Sequence, residues 1–219
     1  MRKVDELLER YERLSCCGDS VRAAKDVLLD VLRSGGKVLV CGNGGSAADA
    51  EHICGELLKK FMKRRAIPGD VAAKLRPELV AKLEGSLPAI SLVSMSGIIT
   101  AFANDVSWET VFAQQVLGLA RPGDVLVALS TSGNSPNCVA AAEVMKAVGG
   151  KSIALTGAGE SRLSQICDVT IRVPETETYK VQELHLPVYH ALCAAIEDEM
   201  FVERGMGNGE WGTRNGGVE

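Results

Sequence analysis

Short apolar runs alternate with amphipathic stretches along most of the chain. The apolar runs predict buried strands at residues 37–41, 88–94, 124–130, 151–156 and 168–173. Apolar positions spaced three and four residues apart predict helices at about 4–15, 20–33, 47–60, 108–119, 136–148, 160–166 and 178–203. Apolar strands that alternate with helices are typical of a parallel sheet covered on both faces. We therefore expect an α/β fold with helices ahead of the first strand.

Two loops rich in glycine and serine follow predicted strands, at the edge where parallel sheets bind ligands. The first, residues 42–47, reads GNGGSA and matches the dinucleotide spacing G-x-G-x-x-A. No acidic residue ends the next predicted strand, however, so we expect no nucleotide cofactor. The backbone donors of this turn and Ser46 would instead point at another ligand.

The second loop, STSGNS at residues 130–135, places four hydroxyl groups at the start of a helix. Backbone N–H groups at a helix start favour an anion, and hydroxyls add further donors. The loop has neither the glycine spacing nor the lysine of a P-loop, which favours a monophosphate on a small molecule. The alternative is a Ser/Thr-rich turn that only caps the helix.

The chain contains three histidines, and all three lie on predicted helices together with other polar residues. His52 and Glu56 are four residues apart on the helix behind the first loop, so they share one face. His185 and His190 lie on the last predicted helix together with Gln182. A His/Glu pair with a second histidine suits zinc or a similar ion. A structural role for each histidine is the alternative.

Composition narrows the possible classes of protein. Aromatic residues make up 4% of the chain, which suits a layered α/β core of Ala, Val, Leu and Ile. The net charge of −4 and the pI of about 5.5 argue against a general nucleic-acid binder. No apolar run reaches the roughly 18 residues of a membrane span, and the charged N-terminus is not a secretory signal. The seven cysteines include no C-x-x-C motif, and we expect free thiols in a reducing compartment. A cytoplasmic protein without nucleic-acid or membrane partners is the expected class.

The most basic part of the chain is residues 59–84, with eight Lys or Arg against three acids. It is interpreted as a solvated extra helix, as a cationic flap over an anionic substrate, or as a surface for a nucleic-acid or protein partner. The flap interpretation assigns Lys63, Arg64 and Arg65 to attraction of the substrate. Residues 204–219 include six glycines and are expected to form a flexible tail.

The run GNGGSAADAEH, followed by STSGNS and by QELH with a histidine at 190, resembles the sugar isomerase (SIS) domain. More closely, it resembles the phosphoheptose isomerases, which interconvert sedoheptulose 7-phosphate and glycero-manno-heptose 7-phosphate. The likeness covers about residues 20–203. It implies a single SIS domain over 1–203, built as a flavodoxin-like three-layer sandwich around a five-stranded parallel sheet. Residues 61–87 would be a basic insertion, and Lys60 stands where the family is expected to have arginine.

The resemblance also implies roles for individual residues and an assembly. The implied substrate-binding residues are Asn43, Gly44, Gly45, Glu56, Asn104, Asp105, Ser130, Thr131, Ser132, Ser135 and Gln182. The implied ligands of one zinc ion per subunit are His52, Glu56, Gln182 and His190. Glu56 and His190 are the implied catalytic acid/base pair. The chain would form a homotetramer with its sites at subunit interfaces.

Gln182 and His190 raise a geometric question about this ligand set. They are eight residues apart on one predicted helix, which separates them by about 12 Å along its axis. One of the two is therefore expected to come from a neighbouring subunit. The leading function is a phosphosugar isomerase that works through an enediol. The alternatives are a non-catalytic SIS module that binds a protein, as in regulators of replication initiation, and an isomerase or sensor for another phosphosugar.

Overall fold

One parallel sheet of five strands organises the computed structural model, which describes residues 2–201. The strands are β1 (Val38–Gly42), β2 (Ala89–Ser91), β3 (Val125–Leu129), β4 (Lys151–Thr156) and β5 (Val169–Arg172). Their order across the sheet is β2-β1-β3-β4-β5, and every neighbouring pair is parallel. The predicted α/β class and the five predicted strands are confirmed.

Helices cover both faces of the sheet. They are α1 (Arg2–Arg10), α2 (Gly18–Arg33), α3 (Gly45–Leu58), α4 (Gly69–Ala72), α5 (Pro77–Val80), α6 (Ser96–Asp105), α7 (Val111–Leu119), α8 (Pro136–Val148), α9 (Arg162–Ile166) and α10 (Thr178–Met200). Two short 3₁₀ helices at Glu12–Cys17 and Trp108–Thr110 replace parts of the predicted α-helices. The predicted tail at 204–219 lies outside the described residues.

Helix α6 was not predicted from the sequence. Three consecutive β-branched residues, Ile98, Ile99 and Thr100, follow Gly97 near its start, and these residue types have low helix propensity. None of the residues of α6 is buried in the single chain. Only Ile99, Phe102 and Ala103 pack, partly buried, against the core, and Ile98 is exposed, so the apolar side chains are not confined to one side of the helix.

The sheet separates two apolar clusters, which together form the core. Val38 and Val40 of β1 point into the cluster that also contains side chains of α2, α3 and α10. Leu39 and Cys41 point into the other cluster, against α7 and α8. Because successive side chains of a strand alternate between faces, both sets must be apolar, and β1 therefore has no polar side. This arrangement confirms the three-layer sandwich, with the N-terminal helices packed against α10.

The sheet topology places the two Gly/Ser loops side by side. The chain leaves β1 towards β2 on one side and later returns to β3 on the other, so the strand order reverses between β1 and β3. The loops at 42–47 and 130–135 follow β1 and β3 at their carboxyl ends. Open α/β sheets bind ligands at this position.

Two further sequence expectations concern cysteines and membrane segments. All seven cysteines are free thiols, as predicted, and five of them are buried. Within residues 2–201, no helix has both the length and the apolar character that crossing a bilayer requires.

The buried His185 makes the stability of the fold depend on pH. Its side chain is fully buried, its Nε2–H donates to the carbonyl oxygen of Thr156 at 3.3 Å, and burial lowers the pKa of His185 to about 4. As the pH falls below about 6.5, His185 therefore binds a proton in the unfolded chain but stays unprotonated in the folded chain. From pH 7 to pH 5 this group is expected to remove about 2 kcal/mol of unfolding free energy. Urea unfolding of His185→Leu should show a correspondingly smaller loss, and an unchanged pH dependence would contradict this assignment.

Candidate active site

Glycines hold the loop between β1 and α3 in a tight turn. Gly44 has a φ of +57°, a conformation that favours glycine. A Cβ at Gly42 would overlap the main chain of Ser46, which is itself buried. A Cβ at Gly45 would stand 2.7 Å from the amide nitrogen of Gln182. The turn therefore lies directly against Gln182, and the exposed backbone of Gly44 and Gly45 faces outward.

A reciprocal pair of amides joins the two loops. Asn43 Nδ2 donates to Asn137 Oδ1 at 2.8 Å, and Asn137 Nδ2 donates back to Asn43 Oδ1 at 2.9 Å. Asn137 is buried in the first turn of α8, and its Oδ1 also accepts the backbone N–H of Cys138. The partly exposed Asn43 was predicted as a substrate contact, and the structure shows that its amide also fixes the loops relative to each other. The signal for Asn137 was a polar residue inside the otherwise apolar start of α8.

The hydroxyl loop after β3 is preformed around the start of α8. Ser130 is buried, and its Oγ lies 2.9 Å from Ser135 Oγ. Ser132 is exposed and accepts the backbone N–H of Asn134 at 3.2 Å, while Thr131 is partly exposed. The thirteen-residue helix α8 points its positive end into this loop. The arrangement suits an anion held by hydroxyl and backbone donors.

Helices α3 and α10 bring three of the predicted site residues together in one chain. His52 Nε2 lies 3.2 Å from Glu56 Oε1, and the His52 and His190 rings meet edge-on with centroids 5.0 Å apart. The Glu56 side chain is 12% exposed, and its Oε2 accepts Lys59 Nζ at 3.1 Å. The predicted acid/base pair Glu56 and His190 thus shares one cluster with His52.

A tyrosine and an aspartate support this cluster from behind. Tyr189 OH donates to Asp49 Oδ1 at 3.1 Å and lies 3.0 Å from His52 Nδ1. With the phenol proton donated to Asp49, Nδ1–H of His52 donates to the phenol oxygen. Nε2 then lies against Glu56, and a hydrogen bond there requires a proton on Nε2 or on the carboxyl group. Burial raises the pKa of Asp49, and burial together with the Asp49 charge raises that of Tyr189. Sequence reasoning missed both residues, although Tyr189 is the neighbour of His190.

His190 has a ring nitrogen that no described residue binds. Burial, and secondarily the charge of His52, lower the pKa of His190 below its ordinary value. Its Nε2 is buried and has no hydrogen-bond partner among the described residues. The Phe61 ring packs against it with centroids 5.4 Å apart. On its open side lies a cavity of about 470 Å³ between α1 and α10, lined in part by Lys3 and Arg10.

Other predicted residues lie apart from the cluster around His190. Gln182 contacts Gly45 at the first loop, two turns before His190 on α10. Asn104 and Asp105 are exposed at the end of α6, where the Asn104 amide donates to Asp105 Oδ1 at 2.8 Å. Over residues 2–201, no group of three His, Cys, Asp or Glu side chains is arranged to hold a metal ion. The four predicted zinc ligands therefore do not converge within one chain.

The basic segment begins with a buried ion pair, which corrects part of the flap interpretation. Arg65 is 1% exposed and pairs with Glu197, so it cannot attract a substrate from solvent. The backbone N–H of Gly85 donates to the carbonyl oxygen of Arg65 at 2.9 Å and closes a neck. Beyond this neck, residues 66–84 contain α4 and α5 and no buried side chain. The single extra helix that one interpretation expected is two four-residue helices.

Comparison with family models and known proteins finds clear relatives of this chain. Two models described as SIS domains match residues 95–195 and residues 1–84. A phosphoheptose isomerase of Rhodospirillum rubrum is 42% identical over 190 residues, which cover 87% of this chain and 91% of the relative.

Solved structures agree with the sequence comparison. The phosphoheptose isomerase of Neisseria gonorrhoeae is 32% identical, with a TM-score of 0.72 over 89% of this chain and 94% of that one. The phosphoheptose isomerase of Francisella tularensis is also 32% identical, with a TM-score of 0.73 over 86% and 91% of the two chains. The similarity thus extends over nearly the whole length of these relatives.

Proposed function

The chain belongs to the SIS-domain family of phosphoheptose isomerases, and on that premise we propose that Glu56 and His190 interconvert sedoheptulose 7-phosphate and D-glycero-D-manno-heptose 7-phosphate. It is an aldose–ketose isomerase, and the reaction moves one proton between adjacent carbons through an enediol. Such a reaction needs a base for the carbon-bound proton and a second acid/base for the oxygens. The observation that supports these roles is the contact cluster of Glu56, His52 and His190 on α3 and α10.

Each member of the acid/base pair has a distinct task. The Glu56 carboxylate takes the proton from C1 of the ketose and returns it to C2 of the enediol. His190 gives a proton to O2 as the enediol forms and takes the proton from O1 as the aldehyde forms. Its lowered pKa keeps the imidazole neutral near pH 7, so that it can do both. No proton is gained or lost over the complete reaction.

The competing classes lack support from this cluster. A non-catalytic SIS module that binds a protein partner would not need a carboxylate beside a neutral histidine with a free nitrogen. The choice among phosphosugars rests on the family relation rather than on the site itself. A cytoplasmic location, like the absence of nucleic-acid and membrane partners, stays a prediction.

The hydroxyl loop is proposed to hold the substrate phosphate. Ser132→Ala should weaken binding of the sugar phosphate about tenfold to a hundredfold, because a hydrogen bond to a charged group contributes roughly 1.5–3 kcal/mol. Ser130→Ala should act in the same direction, although it also removes the contact with Ser135 Oγ. Calorimetric titration with sedoheptulose 7-phosphate and with sedoheptulose should show the loss for the phosphate ester alone. Ser34→Ala, at the far end of α2, is the control, and equal losses for both sugars would move the phosphate elsewhere.

Zinc remains a proposal, and its donors are of the right chemical type. Imidazole nitrogens and a carboxylate suit Zn²⁺, and the unpartnered Nε2 of His190 is a free donor. His52, Glu56 and His190 are the proposed ligands, with Gln182 of a second chain as the fourth. To bind an ion they would have to turn from their present contacts with one another, because as placed within residues 2–201 they form no group arranged for a metal. When bound, zinc would polarise the carbonyl oxygen of the substrate.

A homotetramer with sites at subunit interfaces is also proposed. Around α6, the side chains of Ile98, Val106 and Trp108 are 38%, 66% and 51% exposed, and the helix has no buried residue. Apolar surface of this kind usually marks an interaction site. Since His52, Glu56 and His190 lie together in one chain, Gln182 is the ligand proposed to cross the interface.

A further inference from the structure

A buried ion pair lies directly behind the Glu56–His190 pair. Arg65 Nε donates to Glu197 Oε1 at 2.8 Å, and both side chains have no exposed area. Burying two charges is costly unless their hydrogen-bonding groups are also satisfied. The partners that satisfy this pair indicate what it organises.

The Glu197 carboxylate accepts hydrogen bonds from the backbone of the segment that follows α3. It accepts the backbone N–H groups of Phe61 at 2.8 Å, Met62 at 2.7 Å and Lys63 at 3.0 Å. Burial alone would raise the pKa of Glu197, but these N–H groups and the Arg65 guanidinium hold it below its ordinary value. The carboxylate therefore stays charged, and the backbone of residues 61–63 turns around it.

The Arg65 guanidinium binds backbone carbonyl groups at the C-terminal end of α3. Its terminal nitrogens donate to the carbonyl oxygen of Leu57 at 2.6 Å and to that of Glu56 at 2.8 Å. The last carbonyls of a helix have no partner within the helix, and a cation is favourable there. The bond to Glu56 holds the peptide that carries the catalytic carboxylate.

The same pair also reaches His190 from two directions. Glu197 follows His190 by two turns on α10 and therefore lies on the same side of that helix. Phe61, whose N–H is bound by Glu197, packs its ring against His190 with centroids 5.4 Å apart. The ion pair thus contacts the backbone of Glu56 directly and His190 through the Phe61 ring.

We propose that Arg65 and Glu197 are positioning residues, which fix the separation of Glu56 and His190 for proton transfer. This inference rests on the function proposed above for Glu56 and His190. A displacement of about 1 Å in such a site can reduce the rate about a hundredfold. The basic segment then has two parts. Residues 61–65 form a clamp together with Glu197, and residues 66–84 form an exposed insertion.

The test compares variants of the clamp with a matched ion pair far from the site. Arg65→Met is the obvious variant but leaves a buried carboxylate short of its cation, so Arg65→Lys and Glu197→Gln are used beside it. Lysine keeps the charge, but its three N–H donors lie on one nitrogen, which cannot replace the three separate nitrogens of Arg65 that bind Glu197 and the two carbonyls. The control is Asp124→Asn, because Asp124 binds Lys37 and backbone N–H groups at the amino ends of β1 and β3, away from the two Gly/Ser loops.

We expect Arg65→Lys and Glu197→Gln to lower kcat about tenfold to a hundredfold, with KM changed less than about threefold. Asp124→Asn should lower the melting temperature and leave kcat within about twofold. The ring C–H signals of His190 in an NMR spectrum should shift in the clamp variants and not in the control.

Several outcomes would overturn the clamp. Unchanged kcat in folded Arg65→Lys and Glu197→Gln would do so, and so would equal losses of kcat in Asp124→Asn. Failure of the proposed function is recognised separately, by wild-type kcat in Glu56→Gln or by an inactive wild type. If the proposed function fails, the NMR comparison still tests the clamp, because unchanged His190 signals in the clamp variants would reject the positioning role of Arg65 and Glu197.

Discussion

Replacing Glu56 by Gln is expected to lower kcat for sedoheptulose 7-phosphate by about 10²–10⁴-fold, the usual contribution of a positioned acid or base. Glutamine keeps the size of the side chain and can still contact His52 and Lys59, but it cannot accept the proton from C1. Binding of the sugar phosphate should be unchanged within about threefold, because the proposed phosphate site is the loop at residues 130–135, which this substitution leaves intact. Steady-state kinetics together with calorimetric titration measure both quantities.

Glu51→Gln is the matched control for this variant. Glu51 lies on the same helix, is exposed and accepts a hydrogen bond from Ser94 Oγ at 2.9 Å. It should keep kcat within about twofold of the wild type. Full activity in Glu56→Gln, with correct folding, would remove Glu56 from the proton transfer.

Mixed oligomers of Gln182→Ala and Glu56→Gln chains are expected to regain activity that neither variant has alone. In one chain, Gln182 lies against Gly45. Glu56 and His52 of α3 lie beside His190, which is about 12 Å from Gln182 along the axis of α10. If each site combines Gln182 of one chain with the His52–Glu56–His190 cluster of another, random mixing restores on the order of a quarter of the sites. Co-expression with two affinity tags, followed by an isomerase assay of doubly purified oligomers, measures the recovery.

The pair Glu56→Gln with His190→Ala provides the contrast. Both residues lie in the same cluster of the same chain, so every site of a mixed oligomer keeps at least one defect and no recovery is expected. From the sequence, recovery was expected in this second pair, with Glu56 and His190 drawn from different chains and Gln182 as the alternative. The ring contact of His52 with His190 in one chain corrects that expectation and makes Gln182 the candidate. Recovery in this second pair, without recovery in the first, would contradict the proposed exchange of Gln182.

The sequence predicted the sheet and the position of both Gly/Ser loops because these features are local. A buried parallel strand is an apolar run, and a Gly/Ser loop after it is readable from composition alone. Helix α6 was missed because its contact with the core is limited to the partly buried Ile99, Phe102 and Ala103, and periodicity detects most easily a helix with one fully buried side.

The residues that support the site were harder to predict for a different reason. Asn137, Asp49 and Tyr189 act through partners 94 to 140 positions away in the sequence. Arg65 was grouped with Lys63 and Arg64 by charge, although the fold buries Arg65 against Glu197. Charge patterning describes an average over a segment, and it cannot distinguish a solvated cation from one that a distant helix will cover.

Proton NMR in D₂O gives the most direct test of the central claim, that this chain isomerises sedoheptulose 7-phosphate through Glu56 and His190. Wild-type protein, with and without added Zn²⁺, is incubated with the ketose phosphate, and the anomeric proton of the aldose is followed over time. The account predicts that the aldose accumulates, carries deuterium at C2 where solvent has exchanged, and is not formed by Glu56→Gln. Absence of the aldose under both conditions, from folded wild-type protein that still binds the sugar phosphate, would contradict it.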